Sequence, residues 1–217
     1  MTARFDRSLI PIHPDCSFES NLWQSGLSLV AGLDEAGRGA WAGPVFAAAV
    51  VLPPEPMMES ILSGVRDSKQ MTPHQREHWA GEIQAVALAW GIGWAEAGEI
   101  DRIGILPATR LAMSRAVEQL GEMPEYLLVD GNFLLPEIPL PQQALIKGDG
   151  RSLSIAAASV LAKTARDMLL IDCETNYPGY GFARHKGYGT AIHRAALEQL
   201  GACPIHRMSF APLKNQR

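Results

Sequence analysis

Apolar and polar positions along the 217-residue chain predict a fold in which strands and helices alternate. Short apolar runs that stop at glycine, proline or a charged residue predict strands over residues 29–33, 45–52, 85–95 and 126–129, and a shorter strand that begins at residue 143. Amphipathic spacing and N-cap residues predict helices over residues 18–23, 72–83, 153–173 and 191–200, and one that opens at Pro107. The short link between the first two strands favours an antiparallel hairpin.

Carboxylates follow two of these strands, and a glycine stands close behind each. Asp34 and Glu35 come after the first strand, and Asp130 comes after the fourth. If these two strands are parallel neighbours, Asp34 and Asp130 meet at one edge of the sheet. Asp149, flanked by two glycines, follows the shorter strand in the same manner. Adjacent acids repel each other and lose hydration when buried, so a cation, a metal ion or solvent has to neutralise them.

A glycine-flanked arginine, Gly37-Arg38-Gly39, comes directly after the first acid pair. Glycine lets the backbone approach a ligand closely, and arginine is a fork-shaped donor suited to phosphate. Two other interpretations compete. An isolated Asp-Glu pair is most often a solvated strand end. Gly37, Gly39 and Ala42 also match the dinucleotide-binding pattern G-x-G-x-x-A, but that pattern needs a helix where residues 45–52 predict a strand.

Composition sets broad limits on where the protein works and what it binds. Hydrophobic residues make up 47% of the chain and charged residues 19%, as in soluble globular proteins, and no apolar run is long enough to span a bilayer. We therefore expect a cytoplasmic protein without membrane association. Three widely spaced cysteines favour reduced thiols over disulfides or a thiolate metal site. The net charge is -4, yet residues 184–217 are rich in cations, which suits a bound polyanion or a solvated basic tail.

The basic C-terminal part contains a tyrosine between two glycines, Gly187-Tyr188-Gly189. Flanking glycines expose an aromatic ring, which suits stacking on a base or a sugar. A loop tyrosine that packs on its own domain is the alternative. In the long helix over residues 153–173, Asp167 is interpreted as a helix acid beside Lys163 or Arg166.

Short segments that occur in a fixed order carry more information than any one of them. They are residues 31–39, 42–45, 67–69, 128–131, 147–149, 154–163, 177–182, 185–190 and 204–207. In this combination the chain resembles bacterial ribonuclease HII, of the type 2 ribonuclease H family, over about residues 23–213. The resemblance implies an α/β, ribonuclease H-like fold: a five-stranded mixed sheet flanked by helices, with three antiparallel strands followed by two parallel ones, and a C-terminal helical segment. Ala40-Trp41 departs from the proline and leucine of many members.

The resemblance also implies a metal-dependent endoribonuclease that uses two Mg²⁺ or Mn²⁺ ions, for which carboxylate oxygens are suitable ligands. Asp34 would bridge both ions, Glu35 and Asp130 would bind one of them, and Asp149 would bind the other. These four acids are the implied catalytic and metal-binding residues. The implied substrate-binding residues are Gly37, Arg38 and Gly39 at the 2′-hydroxyl, Tyr188 on the next sugar, and Lys69, Lys147, Lys186 and Arg207 as phosphate contacts.

The implied substrates are RNA·DNA hybrids and duplex DNA that contains ribonucleotides. The family hydrolyses the RNA strand of hybrids and cuts on the 5′ side of an embedded ribonucleotide, leaving 5′-phosphate and 3′-hydroxyl ends. Such activity removes RNA primers and misincorporated ribonucleotides. We expect a monomer with an N-terminal extension (residues 1–26), a ribonuclease H-like catalytic domain (27–175) and a C-terminal substrate-holding helical segment packed on the same domain (176–217).

Two other functions are left open by the sequence. A domain of this fold that only binds hybrids would usually lack one of the carboxylates, and all four are present here. Another metal-dependent phosphotransferase of the same fold superfamily fits the acids but not the Gly-Arg-Gly and Gly-Tyr-Gly segments. The short segment before the first strand favours type HII over type HIII, which carries a large N-terminal domain.

Overall fold

The structure, a computed structural model that describes residues 5–215, contains a five-stranded sheet. Its strands are β1 (Val30–Ala36), β2 (Val45–Val51), β3 (Ala89–Ala95), β4 (Tyr126–Asp130) and β5 (Gln142–Leu145). The order across the sheet is β3-β2-β1-β4-β5. β2 pairs antiparallel with both β1 and β3, whereas β1, β4 and β5 are parallel. The predicted mixed sheet and its antiparallel hairpin are confirmed.

Helices cover both faces of the sheet. They are α1 (Ser17–Gln24), α2 (Met58–Ile61), α3 (Pro73–Val86), α4 (Ala97–Ile103), α5 (Ile105–Glu118), α6 (Leu153–Asn176), α7 (Phe182–His185) and α8 (Ala191–Leu200). Successive residues of β2 face opposite sides, so Ala47 and Ala49 pack in the cluster with α5, and Ala48 and Val50 pack in the cluster with α6. Every residue of β2 is buried because both faces are covered.

Several element boundaries differ from the predictions by a few residues, and three of these differences have a physical reason. β1 continues to Ala36 because its last residues stay paired with β2, so the acid pair lies within the strand rather than after it. The helix α3 runs to Val86, whose side chain still packs on the α6 side of the core, and β3 therefore begins at Ala89. The helix with Pro107 begins at Ile105, since a proline in the first turn costs no backbone hydrogen bond.

The N-terminal part of the chain is fastened to the start of α6. The predicted short helix is present as α1, and its Glu19 is completely buried. Glu19 Oε1 accepts hydrogen bonds from Ser152 Oγ at 2.6 Å and from the Ser154 backbone N–H at 2.9 Å. The Leu153 N–H donates to the Asp15 carbonyl at 2.9 Å. We call Asp15 and Glu19 the N-terminal latch, because together they hold the chain just before and at the first turn of α6.

The C-terminal part packs against the loop that follows β1. The N–H of Trp41 donates to the Gly187 carbonyl at 2.8 Å, and the N–H of Arg207 donates to the Trp41 carbonyl at 2.8 Å. A buried apolar cluster that includes Phe182 and Leu197 closes the interior of this part. The division at residues 26 and 175 stays a prediction, but the contacts join the C-terminal part directly to the loop beside the acids.

Two expectations drawn from composition concern residues 5–215. The cysteines Cys16, Cys173 and Cys203 are free, as predicted, and burial raises the pKa of the Cys16 thiol. None of the helices in this part of the chain is both long and apolar enough to cross a membrane.

Candidate active site

Three carboxylates meet where the neighbouring parallel strands β1 and β4 end. Asp34 and Glu35 lie near the end of β1, where it is still paired with β2, and Asp130 is the last residue of β4. One oxygen atom from each of the three lies within 4.8 Å of the others. The register of the parallel pair, in which Leu33 lies beside Val129, brings the acids to the same edge of the sheet. The convergence expected from the strand pattern is present.

Asp149 reaches the same site from a separate turn. It lies in the 3-10 turn Gly148–Gly150 after β5, and it is buried. The Gly148 N–H donates to Asp130 Oδ1 at 2.7 Å, which fixes this turn against the end of β4. Lys69 Nζ lies 3.3 Å from Asp149 Oδ2 and 3.4 Å from Asp67 Oδ1. A lysine therefore partly neutralises the fourth acid, whereas the other three face one another.

Burial and mutual repulsion raise the pKa of three of the acids. The pKa of Asp34 is raised well above its ordinary value, first by burial and then by the charges of Glu35 and Asp130. Burial also raises the pKa of Glu35, although the Arg38 guanidinium 3.3 Å away opposes this. The pKa of Asp130 rises through burial and the charge of Asp149, and the Gly148 N–H opposes the rise. A cation bound nearby would therefore stabilise the ionised form of each of these acids.

Buried carboxylate oxygens without hydrogen-bond partners indicate whether this site suits a divalent metal ion. Asp34 Oδ2 and Glu35 Oε2 are buried and have no hydrogen-bond partner among the described residues. Burying an ionised carboxylate without a partner is costly, and a metal ion is one of the few groups that can repay several carboxylates at once. An all-oxygen donor set suits hard ions such as Mg²⁺ and Mn²⁺ rather than zinc or copper. The residues present therefore fit the predicted ions.

The Gly37–Gly39 turn lies beside these acids in a cleft of about 700 Å³. Gly37 has φ +93°, and a Cβ there would lie 1.9 Å from Arg166 Nε, so only glycine fits. The Arg38 side chain is 43% exposed and pairs with Glu35. Gly39 is exposed, and a Cβ there would meet no atom within 4 Å. The turn thus presents backbone and a guanidinium group to the space next to the carboxylates.

Tyr188 lines the same cleft but is less exposed than its flanking glycines suggest. The residue is half-buried, with Lys163 Nζ 5.4 Å and Arg166 Cζ 5.3 Å from the ring centroid. Its backbone carbonyl lies 3.0 Å from His193 Nδ1. The tyrosine therefore packs on cations of its own domain and also borders the cleft, so features of both interpretations of this residue are present.

The four predicted phosphate contacts are placed differently. Lys69 and Lys186 line the cleft, and Lys186 Nζ donates to the Ala183 carbonyl. Lys147 is exposed on the turn before Asp149, with φ 59°, and does not line the cleft. Arg207 is completely buried, so the prediction that it contacts phosphate is wrong. Its Nε and Nη1 donate to backbone carbonyls inside the protein, and its Nη2 is buried without a partner among the described residues.

Sequence analysis missed part of an ion-paired group that lines the cleft. Asp167 Oδ1 lies 2.6 Å from Lys163 Nζ, as its position in the helix predicted, and Asp167 Oδ2 lies 2.9 Å from Arg76 Nη2. Arg76 also donates to the carbonyls of Ser68 and Met71. Nothing in the sequence connects Arg76 to α6, because the two meet only through the packing of α3 on α6. Arg76, Lys163 and Asp167 line the same cleft as the carboxylates and add two positive charges and one negative charge to it.

Comparisons with known proteins agree with this geometry. The family model described as Ribonuclease HII matches residues 31–213. A ribonuclease HII from Dehalococcoides mccartyi is 50% identical over 204 residues, which cover 94% of this chain and 96% of that protein. The crystal structure of ribonuclease H2 from Pyrococcus horikoshii OT3 has a TM-score of 0.69 and 25% identity, and the match covers 85% of this chain and 95% of that one. Bst-RNase HIII in complex with Mn²⁺ shares the fold, with a TM-score of 0.66 and 22% identity over 88% of this chain and 71% of that one.

Proposed function

The chain belongs to the ribonuclease HII family, endonucleases that hydrolyse RNA in RNA·DNA hybrids with a divalent metal ion, and from this premise we propose its finer specificity. We propose that it also cuts on the 5′ side of single ribonucleotides embedded in duplex DNA and leaves 5′-phosphate and 3′-hydroxyl ends. The observation that carries this proposal is one cleft in which buried carboxylates with free oxygens lie beside the Gly37–Gly39 turn and Tyr188.

The carboxylates would hold the metal ions. Asp34 would bridge two ions, with Glu35 and Asp130 on one and Asp149 on the other, and either Mg²⁺ or Mn²⁺ would serve. When bound, such ions relieve charge on the attacking and leaving oxygens of a phosphodiester and favour ionisation of a water molecule. Lys69, which contacts Asp149, keeps the fourth acid oriented toward the site. Bst-RNase HIII, which shares the fold, has been crystallised in complex with Mn²⁺, and this supports Mn²⁺ as a metal that could serve here.

The Gly37–Gly39 turn and Tyr188 would read the ribonucleotide. The 2′-hydroxyl is the group that distinguishes RNA from DNA, and backbone groups of the turn can hydrogen-bond to it. Tyr188 would stack on the next sugar, where an additional hydroxyl would crowd the ring, so that deoxyribose is preferred. Arg38, Lys69 and Lys186 border the cleft and would attract the phosphates on either side.

We propose further that the protein acts as a monomer in the cytoplasm and removes RNA primers and misincorporated ribonucleotides. One chain supplies all four carboxylates and both reading elements, so the site is complete without a second copy. The free cysteines agree with a reducing compartment.

The test is cleavage of a labelled DNA duplex that holds one ribonucleotide, in Mg²⁺ and then in Mn²⁺, beside the same duplex without it. We expect a metal-dependent cut 5′ to the ribonucleotide that Asp34→Asn abolishes. Asp172→Asn, an exposed acid of α6 outside the cleft, is the matched control and should cut normally. Binding without a cut in either metal would instead support a domain that only binds hybrids.

A further inference from the structure

Two arginines lie completely buried beneath the cleft and bind backbone carbonyls. Arg166 donates from Nε to the Pro44 carbonyl at 3.0 Å, from Nη2 to the Ala42 carbonyl at 3.0 Å and from Nη1 to the Lys186 carbonyl at 2.9 Å. Within residues 5–215, no carboxylate oxygen lies within 4 Å of Arg166 or Arg207. A buried guanidinium is costly to maintain, so its hydrogen bonds to the loop after β1 have to be strong and geometrically fixed.

Arg207 fixes the orientation of one peptide in the reading turn. It donates from Nε to the Gly43 carbonyl at 2.9 Å and from Nη1 to the Arg38 carbonyl at 2.8 Å. In a trans peptide the C=O and the following N–H point in opposite directions. Because the Arg38 carbonyl points inward to Arg207, the Gly39 N–H points outward. That N–H has no acceptor among the described residues, and Gly39 borders the cleft.

The same arginines join the turn to Tyr188. Arg166 binds the Lys186 carbonyl and lies 5.3 Å from the Tyr188 ring centroid, and its Nε is in contact with the backbone of Gly37. Burial and the charge of Arg166 lower the pKa of Arg207 to about 9, which still leaves Arg207 positive at neutral pH. Contacts with Arg166 and Arg207 therefore fix the position of the Gly37–Gly39 turn relative to Tyr188.

We propose that Arg207, assisted by Arg166, is a positioning residue for ribonucleotide recognition: it turns the Arg38 carbonyl inward, so that the Gly39 N–H faces the cleft and donates to an oxygen of the ribonucleotide. This role rests on the proposed function, because it deepens the account of the same site. Arg207 acts through the backbone and does not touch the substrate.

The experiment compares Arg207→Met, Arg207→Lys and a matched control, Leu197→Ala, which removes buried apolar contacts from the same C-terminal cluster. We measure kcat and KM on duplex DNA with one ribonucleotide. Losing one aimed donor costs about 100-fold to 1000-fold in kcat, so we expect a loss of about 100-fold in Arg207→Met. Arg207→Lys keeps the charge and one donor and should recover about tenfold of it, because lysine lacks the rigid fork of arginine. Leu197→Ala should lower the Tm without this kinetic loss.

A spectroscopic readout separates positioning from simple stabilisation. In an Asp34→Asn background, the ¹H–¹⁵N resonance of Gly39 should shift when the ribonucleotide duplex is added and not when the all-DNA duplex is added. The added Arg207→Met change should abolish that difference. If Arg207→Met fails to fold, Gly39→Ala replaces it, because Gly39 is exposed and a Cβ there would meet no protein atom within 4 Å, so that it would obstruct only the substrate. Gly39→Ala should then lose the preference for the ribonucleotide duplex.

Three results would overturn the inference. One is an Arg207→Met enzyme with kcat within about twofold of the Leu197→Ala control. Another is a Gly39 resonance that still distinguishes the two duplexes without Arg207. The third is unchanged preference in Gly39→Ala. A wild-type enzyme that fails to distinguish the ribonucleotide duplex from DNA would instead reject the proposed function itself, and the two failures are therefore told apart by the wild-type arm.

Discussion

The molecule buries one group of carboxylates and one group of guanidiniums, and within each group the charges repel one another. The two groups differ in how far the protein itself supplies their hydrogen-bond partners. The carboxylates Asp34, Glu35 and Asp130 repel one another and leave buried oxygens without partners. The guanidiniums of Arg166 and Arg207 also repel, yet five of their N–H groups are engaged by backbone carbonyls. The first group is incomplete without an external cation, whereas the second is held mainly by backbone carbonyls inside the protein, with Arg207 Nη2 left without a partner among the described residues.

This difference separates binding groups from positioning groups. A buried charge that keeps a free atom pointed at a cleft can exchange partners with a ligand, because the protein does not compete for that atom. A buried charge whose donors mainly hold backbone carbonyls, and which does not line the cleft, acts by fixing what it holds. Charge and burial alone would assign both groups the same role.

The largest expected effect is on the carboxylate group. Asp34→Asn keeps the shape of the side chain but removes a charge that would hold the metal ions. Metal ions supply several kcal/mol of transition-state stabilisation, so we expect cleavage of an RNA·DNA hybrid to fall at least about 10³-fold, or ~4 kcal/mol. Single-turnover rates in saturating Mg²⁺ measure this, with Asp172→Asn beside it. A loss of less than tenfold would mean that Asp34 is not essential to the metal site.

The second prediction concerns stability with and without metal. An acid whose pKa is raised by folding destabilises the folded state at any pH above that pKa, so metal-free Asp34→Asn should unfold at a higher Tm than the wild type at pH 7.5. Metal at 100 times its Kd adds about 2.7 kcal/mol to the wild type, which is about 5 to 10 °C in a protein of this size.

Thermal unfolding in a chelator and then in Mn²⁺ should therefore reverse the order of the two proteins. The wild type gains most of the increase, and Asp34→Asn gains little. Equal increases in both proteins would show that Mn²⁺ binds somewhere other than the carboxylate group.

A smaller effect is expected at Tyr188, which rests on the arginine group. Stacking on a nucleotide is worth about 1–3 kcal/mol by alanine substitution. Tyr188→Ala should therefore lower the preference for a single embedded ribonucleotide over a long hybrid about tenfold, while Tyr188→Phe keeps the ring and most of the preference. The ratio of kcat/KM on the two substrates measures it. An unchanged ratio in Tyr188→Ala would remove the tyrosine from the reading role.

A fall in pH should change the free energy of unfolding in opposite directions through the carboxylates and through His193, which contacts the Tyr188 backbone. His193 is buried, with Nδ1 on the Tyr188 carbonyl and Nε2 3.0 Å from His206 Nε2, and burial lowers its pKa to about 4. Because His193 is protonated at a higher pH in the unfolded chain than in the folded one, the folded state loses stability as pH falls from about 6.5 toward 4. The loss is no more than ~1.4 kcal/mol per pH unit. Protonation also makes both facing Nε2 atoms donors.

Urea unfolding between pH 7.5 and 5 of the wild type and His193→Gln measures this smallest effect. The free energy of unfolding of the wild type should fall more steeply with acid than that of the variant. The raised pKa values of the carboxylates work in the other direction, and the difference between the two proteins cancels their contribution. Parallel curves would mean that His193 does not stay neutral in the fold.

Sequence patterns predicted most of the fold and the convergence of the acids. The strands, the helices and the first hairpin came from short apolar runs and capping residues, which are local signals, whereas the arrangement of the five strands was implied by the family resemblance, and both are confirmed. Asp130 and Asp34 could be paired in advance, since parallel neighbouring strands end at one sheet edge. The exact place of Asp34 within β1 could not, because the length of pairing with β2 depends on the neighbouring strand.

The arginines show why part of the site could not be predicted. Arginine in a basic C-terminal part is usually exposed, so Arg207 was expected to contact phosphate. Its burial depends on carbonyls 164 and 169 residues away in the chain, at Gly43 and Arg38, which no local pattern indicates. Glu19 was hidden for the same reason, since its partners are the serines that begin α6.

The N-terminal latch bears on where the working unit of the chain begins. The family model matches from residue 31, yet Asp15 and Glu19 hold residues 152–154, immediately after the turn that carries Asp149. A shortened chain that starts at residue 27 would keep the whole sheet and all four acids. It would also leave the Ser152 and Ser154 hydroxyls without their buried acceptor, next to the turn that positions one of those acids. The segment that contains the latch therefore belongs to the same folded unit as the acids, although the family model begins after it.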